Sequence, residues 1–316
     1  MRVPSNREAP MTERPAAPSG YEWHDLATVG PRSLEILTGG PSDGFPLVFH
    51  SGTPSGAAPF PVVVQAAADR GFRTITYSRP GYGTSSSVPG RKAGDAAGDV
   101  ADILDLLGYG PFVTFGWSGG GPHTLACAGL LGDRCVAAGV LAGVAPHDAD
   151  GLDWPDGMSD ENLLEFDLAR QGGPEFEGFL QVVAEALAEL SNPASIAEAL
   201  GNLVTDRDKD VIMSSGVGEY MSDAMSQAVL EGTDGWRDDD VAFLTHWGFD
   251  PSVIDRPVRI WHGTEDRMVP VNHGRWLAAH VPGAHIEIIE GEGHVSLLPV
   301  AIPPLLDHLA AAADLG

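Results

Sequence analysis

The run Pro111–Leu131, PFVTFGWSGGGPHTLACAGLL, constrains this chain more than any other stretch. Phe112–Gly116 is apolar without alternation, as in a strand covered on both faces. It leads into Gly116-Trp117-Ser118-Gly119-Gly120 and then into a helix-like run of small residues. A G-x-S-x-G pentapeptide is a common accident by itself. Between a strand and a helix it is a corner that lifts a serine hydroxyl above a sheet edge. So tight a turn forces Ser118 into a strained backbone conformation and leaves room only for glycine two positions away on either side. It also aims backbone N–H groups of the new helix at the hydroxyl, and the positive helix end favours negative charge there. The alternative is a glycine-rich turn with a capping serine; a phosphate-binding P-loop is excluded because no GK[ST] follows.

Strand-like runs recur at Ser33–Leu37, Pro46–His50, Phe72–Tyr77, Val136–Ala142, Val258–His262 and His285–Ile289. Amphipathic segments alternate with them at Gly56–Ala68, Lys92–Leu107, Gly119–Leu131, Val271–His280 and Pro299–Ala312. That order predicts an α/β fold with a mostly parallel, doubly wound sheet. The rhythm breaks over residues 147–251, where acidic amphipathic stretches such as Ser159–Arg170 and Pro174–Leu190 dominate. The expected organisation is a core built from residues 21–146 and 252–316, with 147–251 inserted as a helical cap. Residues 1–20, rich in Pro, Ser and charge, are expected to be disordered.

Of the formal charge of −26, most sits between Pro146 and Asp250, where 24 Asp and Glu face four Lys and Arg. Such a surface repels nucleic acid and anionic lipid, so neither is an expected partner. Its plainest reading is a solubility device. No stretch approaches the ~18 apolar residues of a membrane span. Cys127 and Cys135 lie in apolar contexts and read as buried free thiols. With no export signal visible, these point to the cytoplasm. No His, Cys and carboxylate cluster suggests a metal, and no cofactor is called for. Homo-oligomerisation is left open.

Two further segments join the serine corner. After PLVFH comes Ser51-Gly52-Thr53-Pro54-Ser55-Gly56, and after FRTITY comes Ser78-Arg79-Pro80-Gly81-Tyr82-Gly83-Thr84-Ser85. Together these motifs resemble the cap-bearing α/β-hydrolases, the group of esterases, haloalkane dehalogenases and proline iminopeptidases, over roughly residues 20–312. The resemblance implies a second oxyanion donor in the first loop, where Ser51-Gly52 stands for the family's His-Gly pair. Thr53 N–H is the donor that aligns, with Gly119 N–H as the other. The second segment matches the family's D-x-P-G-x-G-x-S turn with Ser78 in place of Asp, and reads as structural.

A serine nucleophile needs a base and an orienting carboxylate. In this fold they follow in the order Ser, acid, His. Of eleven histidines, His294 in Glu290-Gly291-Glu292-Gly293-His294 follows the final strand and resembles the family's G-x-G-H loop, with glycines expected to give it mobility. Asp266, in VRIWHGTEDRMVP, holds the family's acid position; Glu265 and Asp148 are the alternatives. His123 reads as packing, His262 as a strand-end residue and His50 as a loop-positioning residue.

The expected mechanism is an acyl-enzyme cycle on Ser118 with His294 and Asp266, acting on a small-molecule carboxylic ester of apolar character. Serine at position 118 disfavours dehalogenase and epoxide hydrolase chemistry, because a serine alkyl ether could not be hydrolysed as an ester intermediate can. Met158, Phe166, Phe176, Phe179, Met213, Met221, Met225, Trp236, Phe243 and Trp247 are candidates to line the substrate pocket or to form the insertion's own core. An aminopeptidase that binds a free α-amine through the acidic insertion is the first rival. A C–C bond or lactone hydrolase with the same triad is another, and a non-catalytic hydrolase-like binding module is a third.

Overall fold

The computed structural model describes residues 16–27 and 32–315. The expected disordered stretch over residues 1–20 therefore falls mostly outside the described residues. Among those described, eight strands form one sheet: β1 (Tyr21–Ala27), β2 (Ser33–Gly39), β3 (Phe45–His50), β4 (Phe72–Tyr77), β5 (Phe112–Trp117), β6 (Cys135–Leu141), β7 (Val258–Gly263) and β8 (His285–Ile289). Their order is β1-β2-β4-β3-β5-β6-β7-β8. β1 and β2 pair antiparallel, as do β2 and β4, and every other pairing is parallel. The doubly wound sheet read from the apolar rhythm is the one observed.

The unalternating strands are explained by their two covered faces. Along β3, Leu47 and Phe49 enter one apolar layer with Val63 and Ala67 of α1 (Pro61–Ala68). Val48, between them, enters the opposite layer with Val100 and Leu104 of α2 (Ala96–Leu107) and Leu125 of α3 (Gly120–Leu130). Each such side chain contributes roughly 1.5–3 kcal/mol on burial, so a polar residue is costly on either face.

Between β6 and β7 run α4 (Asp160–Gln171), α5 (Pro174–Ala188), α6 (Pro193–Leu200), α7 (Asp206–Ser214), α8 (Val217–Ala228) and α9 (Asp234–Leu244). Ser159 caps α4, its hydroxyl accepting Asn162 N–H at 3.5 Å with Asp160 and Glu161 in the first turn. Thr205 and Asp208 form a reciprocal capping box at α7. After β7 come α10 (Val271–His280) and α11 (Leu297–Ala312), the latter packed through Leu305 and Leu309 on the α1 face. No described helix is long and apolar enough to cross a membrane. Both cysteines are free and buried.

β1 has no counterpart among the strands read from sequence. Its segment, YEWHDLA, is an edge strand with most side chains partly exposed, so it lacks the apolar run that marks the inner strands.

Candidate active site

β5 ends at Trp117 and α3 begins at Gly120, so Ser118 occupies the corner. Its φ is 57°, in the left-handed region that non-glycine residues rarely adopt. Ser118 N–H donates to Leu141 O at 2.9 Å, which fastens the corner to β6. A Cβ at Gly116 would lie 2.3 Å from Gly120 O, and one at Gly120 would lie 2.0 Å from His50 O. The flanking glycines are thus demanded by neighbouring backbone.

Asp266 lies in the turn after β7, and its side chain is fully buried. Oδ1 accepts N–H groups of Met268 and Val269 at 3.0 and 2.8 Å. Oδ2 lies 2.7 Å from His294 Nδ1. A carboxylate so engaged only accepts, so Nδ1 carries the proton and Nε2 keeps a free lone pair. Glu265 and Asp148, the alternative acids, are both exposed. His262 props the turn, its Nε2 donating to Val269 O at 2.7 Å. Trp117 Nε1 donates to His294 O at 3.2 Å, and the two rings lie 5.4 Å apart. The residue before the serine therefore holds the histidine's own backbone.

The glycines around His294 suggest a mobile loop, but the structure ties this segment down. Gly293 N–H donates to Ser296 Oγ at 2.8 Å. Asp208, from α7, accepts N–H groups of Val295 and Ser296 at 2.9 and 2.7 Å. A Cβ at Gly293 would lie 2.1 Å from Asp208 Oδ2, so that glycine makes room for the carboxylate. Arg207 forks onto Glu292 at 2.7 and 2.5 Å. Sequence reasoning missed Asp208; the T-x-x-D capping signature at Thr205–Asp208 marks a helix start and carries no hint of the distant partner.

On the other side, a Cβ on Gly52 would sit 3.4 Å from Ser118 Cβ. The Thr53 hydroxyl packs so closely on Gly119 that a Cβ there would lie 2.4 Å from it. The two candidate oxyanion donors, Thr53 and Gly119, are neighbours beside Ser118. Arg79 Nη1 and Nη2 donate to Ser51 O and Gly52 O at 2.7 and 2.8 Å. Ser78 Oγ accepts Ala57 N–H at 2.8 Å, so the departure from the family's Asp still ties the two loops together. His50 is buried, with Nε2 3.6 Å from Cys127 Sγ. Burial and the nearby His123 and Arg79 push its ring well below the usual histidine range. His123 is also buried, with Nε2 3.5 Å from Asp239.

Ser118, Thr53 and Gly119 line a cavity of about 360 Å³ together with residues of the helices between β6 and β7. Of the ten apolar candidates, Met158, Phe166, Phe179, Met225, Trp236 and Phe243 line it. Phe176 and Met221 lie in the packed core, Trp247 packs on the α2 and α3 side, and Met213 is exposed. Leu164, Val183, Leu187, Ile196 and Leu203 are among the other residues of the apolar wall. Three acids interrupt it: Glu161, which is exposed, and Glu165 and Asp240. Trp236 Nε1 donates to Glu165 Oε1 at 2.6 Å, and the Glu165 and Asp240 carboxyls are hydrogen-bonded to each other. Burial raises both carboxyls, and that of Asp240 is raised further by Glu165. The acid surplus read as a solubility device thus includes side chains turned inward.

Residues 46–299 match the family model for the alpha/beta hydrolase fold. The chain belongs to that family. It is 30% identical over 271 residues to a non-heme chloroperoxidase, CPO-A1, of Kitasatospora aureofaciens, covering 84% of this chain and 91% of that protein. It is 25% identical over 309 residues to a proline iminopeptidase of Neisseria gonorrhoeae, covering 87% and 89%. Among solved structures, a bromoperoxidase from Bacillus anthracis superposes with a TM-score of 0.65 at 22% identity, over 90% of this chain and 96% of the other.

Proposed function

We propose that the chain is a serine hydrolase that cleaves a small to medium carboxylic ester through an acyl-enzyme on Ser118. Asp266 holds His294 with the proton on Nδ1, and Nε2 takes the proton of the Ser118 hydroxyl as Oγ attacks the acyl carbonyl. Thr53 and Gly119 N–H groups receive the negative oxygen, worth several kcal/mol together. His294 protonates the departing alkoxide; water then enters, loses its proton to Nε2 and releases the acid. The helices between β6 and β7 act as a cap that shapes the acyl site. The observation that carries this reading is the 2.7 Å contact of His294 with Asp266 in a segment whose backbone is bonded to Trp117, next to a serine held at φ 57°. The apolar cavity supports an apolar acyl group.

A second reading has one specific observation behind it. Glu165 and Asp240, whose carboxyls are hydrogen-bonded to each other, face the same cavity and form an acidic pair that a protonated α-amine of an amide substrate would complement. This is the aminopeptidase alternative, and proline iminopeptidases are among the relatives. A panel of p-nitrophenyl acyl esters, lactones and proline anilides, run with wild type and Ser118→Ala, separates the readings. Ester turnover lost in Ser118→Ala is the expected result. Turnover of the anilide alone overturns the ester assignment, and turnover unchanged in Ser118→Ala overturns the serine mechanism.

A further inference from the structure

Asp239 sits in α9, within the inserted helices, and is fully buried. Arg79 reaches it through Nη2 at 2.6 Å and Nε at 3.1 Å. Arg91 Nη1 lies 2.6 Å from its other oxygen. Tyr82 OH donates to it at 2.8 Å, and Thr53 Oγ1 donates to it at 2.7 Å. One carboxylate thus gathers two guanidiniums and two hydroxyls. A buried ion pair has no need of the last of these for charge balance, and Thr53 is the residue whose N–H the reaction uses.

The covalent geometry of the peptide makes that contact consequential. Gly52 C=O and Thr53 N–H belong to one planar trans unit, so the carbonyl and the N–H point in opposite directions. Arg79 Nη2 holds Gly52 O at 2.8 Å and Nη1 holds Ser51 O at 2.7 Å. Fixing the carbonyl fixes the direction of the N–H on the far side of the plane. Donation from a cation to that carbonyl also polarises the peptide and strengthens its N–H as a donor. Arg79 is itself locked by Asp239, and the Thr53 side chain is clamped between the two, Arg79 Nη2 lying 3.0 Å from Thr53 Oγ1.

We infer that Arg79 and Asp239 are positioning residues that aim the Thr53 N–H at the oxyanion, so that the oxyanion hole is complete only while α9 is seated on the core. This rests on the serine hydrolase reading above and adds residues from the insertion to its machinery. The insertion then does more than enclose substrate: one of its side chains sets a group that acts on the transition state.

The test compares wild type with Asp239→Asn, Thr53→Val and Thr53→Ser on whichever ester the wild type turns over, with Ser118→Ala alongside. Loss of one oxyanion donor costs about 100- to 1000-fold in kcat, and a misaimed donor is expected to cost about 10- to 100-fold. Asp239→Asn and Thr53→Val should therefore lose kcat by about that factor while KM stays within about threefold. A trifluoromethyl ketone analogue, which forms a hemiketal oxyanion, should bind more weakly by the same factor as kcat/KM falls. Thr53→Ser, which restores the hydroxyl, should regain most of what Thr53→Val loses. A merely structural role lowers the melting temperature without this split between kcat and KM or the matched loss of analogue binding. Thr53→Val removes no charge and so covers the case in which Asp239→Asn fails to fold. If Thr53→Val retains wild-type kcat and analogue affinity while Ser118→Ala is inactive, the positioning role is overturned and the hydrolase reading stands. Undiminished turnover in Ser118→Ala overturns both.

Discussion

Asp208 Oδ1 accepts the backbone N–H of Val295 at 2.9 Å, on the residue next to His294. With the second bond from Ser296 N–H at 2.7 Å, an acid of the inserted helices fixes the chain that carries the proposed base. Burial alone would raise the Asp208 carboxyl, but backbone donors led by Ser296 hold it below its ordinary value. Replacing it by alanine leaves three backbone N–H groups, those of Thr205, Val295 and Ser296, without their acceptor, at about 1–3 kcal/mol each where buried. Asp208→Ala should lose roughly 3 kcal/mol or more of stability and at least about tenfold in kcat/KM at temperatures where it remains folded. Chemical denaturation and steady-state kinetics on one preparation check this. Full activity with reduced stability would confine Asp208 to a structural role.

Glu165 and Asp240 should make the protein less stable as pH rises. Both carboxyls are raised by burial in the folded state. A raised acid favours the native state below its unfolded pKa, near 4, and that contribution is lost as pH climbs through the folded value. Glu165→Gln keeps an acceptor for Trp236 Nε1 and offers Asp240 a donor. Its melting temperature should equal that of wild type near pH 4 and exceed it by roughly 2 °C or more at pH 8. An equal shift at both pH values would contradict the account.

His273 should contribute an acid-sensitive element. It is buried in α10, with Nδ1 accepting Ala145 N–H at 3.1 Å and Nε2 donating to Trp154 O at 2.9 Å. Burial pushes its pKa down to about 4. The unfolded chain titrates near 6.5, so between these values the unfolded state binds more protons. The stability in question is present above about pH 6.5 and is lost as pH falls towards 4, up to about 3 kcal/mol. The difference in unfolding free energy between wild type and His273→Gln should shrink by about that amount over this window. A difference independent of pH would count against a neutral His273.

The parts that are legible in the sequence share a cause. β3, β5 and β7 are covered on both faces, so their apolar runs have no alternation to confuse them. Ser118 is visible because a strained corner excludes side larger than hydrogen at Gly116 and Gly120. Asp266 and His294 stand just past strand ends, where chain order alone suggests their pairing. Asp208 and Asp239 carry no comparable mark. Asp239 lies in the triplet Asp238-Asp239-Asp240, indistinguishable from the surrounding acid surplus, and its partners Thr53, Arg79 and Arg91 are more than 140 residues away in sequence. β1 escapes notice for a different reason: an edge strand exposes much of its surface and has no need of an apolar run.

The most direct measurement is covalent labelling by a fluorophosphonate, followed by intact mass and peptide mapping. Wild type should gain one adduct, located on the peptide that contains Ser118, and Ser118→Ala should gain none. His294→Ala should label at least about 100-fold more slowly, since the hydroxyl loses its proton acceptor. An adduct on another residue, or equal labelling of wild type and Ser118→Ala, would contradict the proposed nucleophile.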